Sequence, residues 1–195
     1  VGIDHITIGM LNHIKVRGFY VEDLDGDTLL YAGSVMARLA PFNSMGDRLL
    51  FSTAKAENVL LNLRETERGE INIKEVTDRL VNREKEKKLF KLGISSIQVD
   101  SVNFRLQRIE KRNPSYGVDY SDMHLNNIAA TLEDFFVEGQ AVGGMINALT
   151  FTERSGFVLD DLAGYFCVDR GTIIVNQACL RAEGTQINMP SLQLK

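Results

Sequence analysis

Apolar and polar residues alternate along most of this chain, and the runs stop at turns containing Asp-Gly, Arg-Gly, Glu-Gly or Ser-Gly. The C-terminal half shows the pattern best. Phe135, Val137, Ala141, Gly143, Met145, Leu149 and Phe151 keep one parity up to a break at Arg154-Ser155-Gly156. Phe157 and Leu159 lead to Leu162, Phe166 and Val168, before Asp169-Arg170-Gly171. Ile173 and Val175 lead to Leu180 and Ala182, then Glu183-Gly184, then Ile187 and Met189. A period of two puts one side-chain set on each face of a sheet, and repeated strand-turn units predict a long antiparallel meander.

The N-terminal third predicts strands over Ile3 to Met10, Ile14 to Glu22 and Thr28 to Leu39. Leu11-Asn12-His13 and the tip Asp23-Leu24-Asp25-Gly26-Asp27 separate them, and Asp-Gly between alternating runs is a strong hairpin signal. Pro41 to Gly46 reads as a loop, Arg48 to Thr53 and Asn58 to Arg64 as strands, and Glu67-Arg68-Gly69 as a turn. Ile73 to Lys88 is the one helical segment: Val76 and Leu80 stand at i and i+4, and cations crowd its end, where they suit the helix dipole. Its narrow apolar stripe predicts a helix laid over an edge or end of the sheet. Ile94 to Arg108 follows as one or two strands, then the polar breaker Lys111 to Pro114. Val118 to Leu132 is a further strand region with a kink at Asn126-Asn127. No linker divides the chain, so residues 1–195 read as one continuous β domain of about 10–13 strands.

Composition narrows the function. The chain has 195 residues, 44% hydrophobic and 25% charged, with a net charge of -4. An acidic balance argues against a nucleic-acid partner. No apolar run reaches the ~18 residues of a membrane-spanning helix. Beginning at Val1 and alternating by Ile6 and Ile8, the chain reads as a piece of something longer.

Candidate chemistry is sparse. The Asp23, Asp25, Asp27 cluster fails as an EF-hand, since Thr28 and Ser34 stand where Gly and Glu are required. It reads as a solvated hairpin tip. His5, His13 and His124 have no metal-ligand spacing, and no phosphate-binding loop, nucleophile elbow or zinc-protease motif is present. Asp160-Asp161 and Glu133-Asp134 are adjacent carboxylates, which a strand sends to opposite faces. A tight hairpin at Asp169-Arg170-Gly171 places Cys167 opposite about position 174, short of Cys179, so two free cysteines are expected. No catalytic, metal or cofactor site is predicted, and the chain does not read as an enzyme.

The remaining question is what covers the apolar face. The sheet could close on itself as a sandwich or barrel, or curl into a trough whose lining is covered by something else, such as lipid.

Several stretches bear on that choice. Ile14 to Tyr31 (IKVRGFYVEDLDGDTLLY), Val59 to Ile73 (VLLNLRETERGEINI) and Ala148 to Leu162 (ALTFTERSGFVLDDL) resemble the repeats of TamB proteins. These are the translocation and assembly module members of the AsmA superfamily, in their Bacteroidetes-type form. Ile173 to Leu194 resembles the family's closing strands, with Ala182-Glu183-Gly184-Thr185 replacing the usual Thr-x-x-Ser. The resemblance implies a β-sheet curled into an elongated groove or half-pipe. It implies a periplasmic protein anchored in the inner membrane through a segment not in this chain. It also implies a role in outer-membrane biogenesis, through phospholipid transport, assistance to outer-membrane protein assembly, or both. A partner of the BamA/TamA class is implied too, through regions outside this chain. The alternative is a closed β domain acting as a scaffold or adhesin-like binding module.

A groove of this kind would take phospholipid acyl chains on the majority-apolar parity. The expected lining is Ile6, Ile8, Val35, Leu61 and Leu63 in the N-terminal half. In the C-terminal half it is Val137, Ala141, Met145, Leu149, Phe151, Phe166, Val168, Ile173 and Val175. A one-residue slip would reverse any strand.

Overall fold

The computed structural model describes residues 1–9, 12–41, 48–74, 91–110, 114 and 116–194. Among them are ten strands: β1 (His5–Gly9), β2 (His13–Glu22), β3 (Thr28–Leu39), β4 (Arg48–Arg64), β5 (Lys91–Gln107), β6 (Asp122–Glu138), β7 (Ala141–Glu153), β8 (Val158–Asp169), β9 (Thr172–Ala182) and β10 (Thr185–Leu194). They form one sheet in sequence order, and β1 and β10 lie at its two edges. The sheet is therefore open, and the closed sandwich or barrel is set aside.

The turns follow local chemistry. Arg170 and Gly171 both have positive φ between the paired residues Asp169 and Thr172, and Glu183 and Gly184 do the same between Ala182 and Thr185. Positive φ at both central residues gives the tight hairpin whose twist matches its strands. At this register Cys167 pairs with Ile174, and both cysteines are free.

Three expectations are corrected. The sheet is mixed, because β4 and β5 run parallel, from Arg48 opposite Lys91 to Arg64 opposite Gln107. A parallel pair needs a crossover that carries the chain back along the strand, here about 55 Å at a rise of about 3.3 Å per residue. Second, Arg48 to Arg64 is one strand of 17 residues rather than two. Third, the run from Phe135 to Phe151 is broken by a turn at Gly139 and Gln140. That turn leaves the odd-numbered parity undisturbed in sequence and so escapes a reading of alternation. The predicted helix begins with helical residues at 72–74; its continuation to Lys88, and the edge or end it was expected to cover, lie outside the described residues. No helix among the described residues is long and apolar enough to cross a membrane.

The sheet has little core. Among the described residues, Leu29, Ala32, Ala130, Leu159, Ala178 and Ala182 are the buried apolar ones, and no large side chain is fully buried. Most other apolar side chains on the strands are half-buried, as in a single layer with one face uncovered.

Candidate functional site: a continuous apolar face

Residues directly opposite on neighbouring strands point to the same side of a sheet, so the register traces each face. One row crosses all ten strands: Ile8, Ile14, Ala37, Ala54, Ile97, Leu132, Ile146, Gly164, Ala178 and Met189, with Gly164 meeting Ala178 across a bulge. A second runs through Ile6, Val16, Val35, Ala56, Val99, Ala130 and Leu149. A third, nearer one end of the strands, holds Phe51, Ile94, Phe135, Phe166, Val175 and Leu192, with Gly144 between Phe135 and Phe166. Beside it lie Leu49, Leu92, Val137, Val142, Val168, Ile173 and Leu194. Toward the other end, Val21, Leu30, Leu61, Phe104 and Leu125 are matched in the same way, as are Leu63, Leu106 and Met123. Every member of these rows is apolar. The rows run out to exposed side chains at both edges: Ile8 is 79% and Ile6 52% exposed, and Leu194 is 50% exposed.

Strict alternation cannot make such rows, because the apolar parity changes within single strands. In β4 it passes from Ala54 and Ala56 to Val59, Leu61 and Leu63; in β5 from Ile97 and Val99 to Val102, Phe104 and Leu106. In β6 it changes twice, before Ile128 and before Phe135. Each change falls at a residue of positive φ or a skipped pairing. Asn58 (φ 55) and Ser101 (φ 56) align across the sheet with Gly18 (φ 60) and Gly33, and Asn127 (φ 53) continues the line two residues along, opposite Asn103. A second line passes through Ser52, Ser95, Asp134 (φ 50) and Gly144, and a third, offset from it by two residues between β7 and β8, passes through Gly164, Gln177 (φ 52) and Pro190. A residue in the left-handed region acts as a bulge: it re-aims the following side chains and bends the strand. Lines of such residues across neighbouring strands are creases. They keep the apolar set on one face while folding the sheet along its length, the device by which sheets are curved.

Most of the expected lining residues lie on this face. Ile6, Ile8, Val35, Leu61, Leu63, Val137, Leu149, Phe166, Val168, Ile173 and Val175 are in the rows above, and Phe151 shares the parity of Leu149 and pairs with Leu159. Ala141 and Met145 lie on the opposite face. The two-residue turn sets Ala141 across from Glu138, and the crease sets Met145 across from Glu133 and Tyr165. Ile146 and Val142, paired with Leu132 and Val137, take their places.

The apolar face ends in polar side chains at one end of the strands. Asp23 is buried, not solvated as expected of a hairpin tip. Its Oδ1 accepts from the backbone N–H groups of Asp25 (3.0 Å) and Asp27 (3.1 Å). Its Oδ2 accepts from Arg64 Nε (3.0 Å) and Asn72 Nδ2 (3.1 Å). Burial opposes its charge, but Asn72, the two backbone donors and Arg64 outweigh that and hold its pKa below the ordinary value. Arg64 and Asn72 stand 41 and 49 residues away in sequence, so no local signal announced them. At the β7–β8 tip Glu153, 2% exposed, takes the same position. It accepts from the N–H groups of Ser155 (2.6 Å) and His124 (3.4 Å). Beside it Asp122 accepts from Arg154 Nη1 (3.0 Å) and lies 3.0 Å from His124 Nε2. Burial raises the Asp122 pKa, yet these partners bring it down to about 2. These groups close hairpin tips against each other, and among the described residues no group of three or more His, Cys, Asp or Glu is placed to hold a metal ion.

The chain matches no protein-family model and no curated protein sequence.

Proposed function

We propose that this chain is a lipid-conducting groove segment of a TamB/AsmA-like protein, acting in outer-membrane biogenesis. The observation that carries the reading is the apolar row from Ile8 to Met189, which crosses every strand of an open sheet and, among the described residues, has no second layer over it. An uncovered apolar surface of this extent calls for an apolar occupant. Acyl chains fit because they lie along a row without needing hydrogen-bond partners, and each buried methylene contributes about 0.8 kcal/mol. Neighbouring strands advance about 4.8 Å, so ten strands carry a chain over roughly 45 Å of water. The resemblance of Ile14 to Tyr31 and Ala148 to Leu162 to TamB repeats supplies the rest of the reading. On that reading the protein is periplasmic and anchored through a segment outside this chain. Its contact with a BamA/TamA-class partner also lies outside this chain.

Native mass spectrometry with lipid extraction tests this on protein purified from bacteria. The expected result is co-purified phospholipid, released as intact diacyl species. A lipid-free, monodisperse and heat-stable protein that takes up no phospholipid from vesicles would overturn the reading.

A further inference from the structure

The ladder between β7 and β8 is interrupted. Pairing runs from Val142 opposite Val168 to Ile146 opposite Gly164, stops, and resumes at Phe151 opposite Leu159. Residues 147–150 and 160–163 keep their strand character but pair only with their outer neighbours. Ala148, Leu149 and Thr150 pair with Thr131, Ala130 and Ala129 of β6; Asp161, Leu162 and Ala163 pair with Arg181, Leu180 and Cys179 of β9.

The cause is a clash of phase. Against β6, Asn147 is an extra residue between Ile146 and Ala148; against β9, Asp160 is an extra residue between Leu159 and Asp161. Each bulge shifts the alternation of its own strand. Had the ladder continued in register, Leu149 would stand beside Asp161 and Ala148 beside Leu162, an apolar residue against a polar-face one each time. Register is firmly held where one face is apolar, so the two strands part here instead. Gly164 adds to the separation. A Cβ there would lie 2.8 Å from the Ala178 Cα, so β8 is drawn close to β9 at the border of the gap.

We propose that this seam is a lateral slot in the groove, opening locally to pass an acyl chain between the apolar face and the outside. This rests on the lipid reading of the apolar face. Leu149 and Leu162 flank the slot on the apolar side, and Asn147 and Asp160 stand exposed at its two corners. A stretch without ladder hydrogen bonds opens at low free-energy cost, while the paired segments on either side keep the strands in place.

Two measurements test the slot. Amide hydrogen exchange on the unaltered chain should show unprotected amides within 147–150 and 160–163, exchanging at least about a hundredfold faster than the slowest amides of 142–146 and 164–168. Equal protection across all four segments would overturn the slot. For the second, Leu149→Cys and Leu162→Cys are combined with Cys167→Ala and Cys179→Ala and bridged by a short bifunctional thiol cross-linker. The control bridges Met145→Cys and Tyr165→Cys, a pair on the opposite face, across the intact ladder in the same background. Loading is followed with labelled phosphatidylethanolamine from phosphatidylethanolamine/phosphatidylglycerol vesicles. The seam bridge should slow loading by about tenfold or more, whereas the control bridge leaves it unchanged. Unchanged loading across the bridged seam would sink the slot and leave the lipid groove standing. No loading in any form would sink both.

Discussion

Ile146 of β7 stands directly across from Leu132 of β6, and this pair decides which face of β7 belongs to the groove. Its sequence neighbour Met145 stands across from Glu133 and belongs to the other face. Two adjacent apolar residues of similar size therefore offer a paired experiment. Ile146→Asp puts a charge into the row that crosses all ten strands and should abolish phospholipid co-purification. Met145→Asp should leave lipid binding unchanged. Circular dichroism should report an intact sheet for both, because neither side chain is in a closed core where an unpaired charge would cost several kcal/mol. Loss of lipid from both variants alike would show that the face assignment is wrong.

Alternation made the sheet, its hairpin turns and the apolar surface legible in the sequence. The kink at Asn126-Asn127 was legible too, since asparagine tolerates positive φ. The phase changes at Ser101, Asp134 and Gln177 were not, because nothing in those residue types separates a crease from an ordinary polar strand position. The two-residue turn at Gly139-Gln140 was hidden as well, and carrying one parity across it from Phe135 to Phe151 put Ala141 and Met145 on the lining. The parallel β4–β5 pair was hidden for another reason: which strand a crossover returns beside is settled by pairing across the sheet, not by local pattern.

The creases predict an unusual tolerance. Asn58 has φ 55 in the middle of a 17-residue strand, where most side chains are strained. Asn58→Gly should be close to neutral, since glycine adopts that conformation freely. Asn58→Val, the better strand former by propensity, should destabilise by about 1–2 kcal/mol through the left-handed backbone alone. Urea unfolding of the two variants checks this, and a more stable valine variant would remove the crease from β4.

Gly164 makes a sharper demand. Its φ is +152, and an added Cβ would sit 2.8 Å from the Ala178 Cα and 3.1 Å from its Cβ. The obstacle is the backbone of β9, which cannot swing aside as a side-chain tip can. Gly164→Ala should cost about 1–3 kcal/mol, the range for an overpacked site. Gly26→Ala provides the contrast: nothing lies within 4 Å of that position, so its cost is confined to the positive φ of 86. Thermal melts of the two variants should rank Gly164→Ala as the less stable.

Acid should loosen the end of the sheet where the carboxylates are buried. Asp122 is the clearest case, with its pKa brought down from 3.8 to about 2 in the folded protein by Arg154 and His124. A carboxylate with a lowered folded pKa gives its full stabilisation above its unfolded pKa and loses it as pH falls through the folded value. The Asp122 contribution is thus complete above about pH 4 and disappears between there and about pH 2; a shift of this size corresponds to about 2 kcal/mol. Asp23 and Glu153 are lowered in the same direction and steepen the loss over the same acid range. Urea midpoints measured from pH 6 down to pH 2 should fall steadily below about pH 4. Asp122→Asn should start lower at pH 6 and fall less steeply. A variant whose acid profile runs parallel to that of the unaltered protein would show that the Asp122–Arg154 contact does not stabilise this end of the sheet.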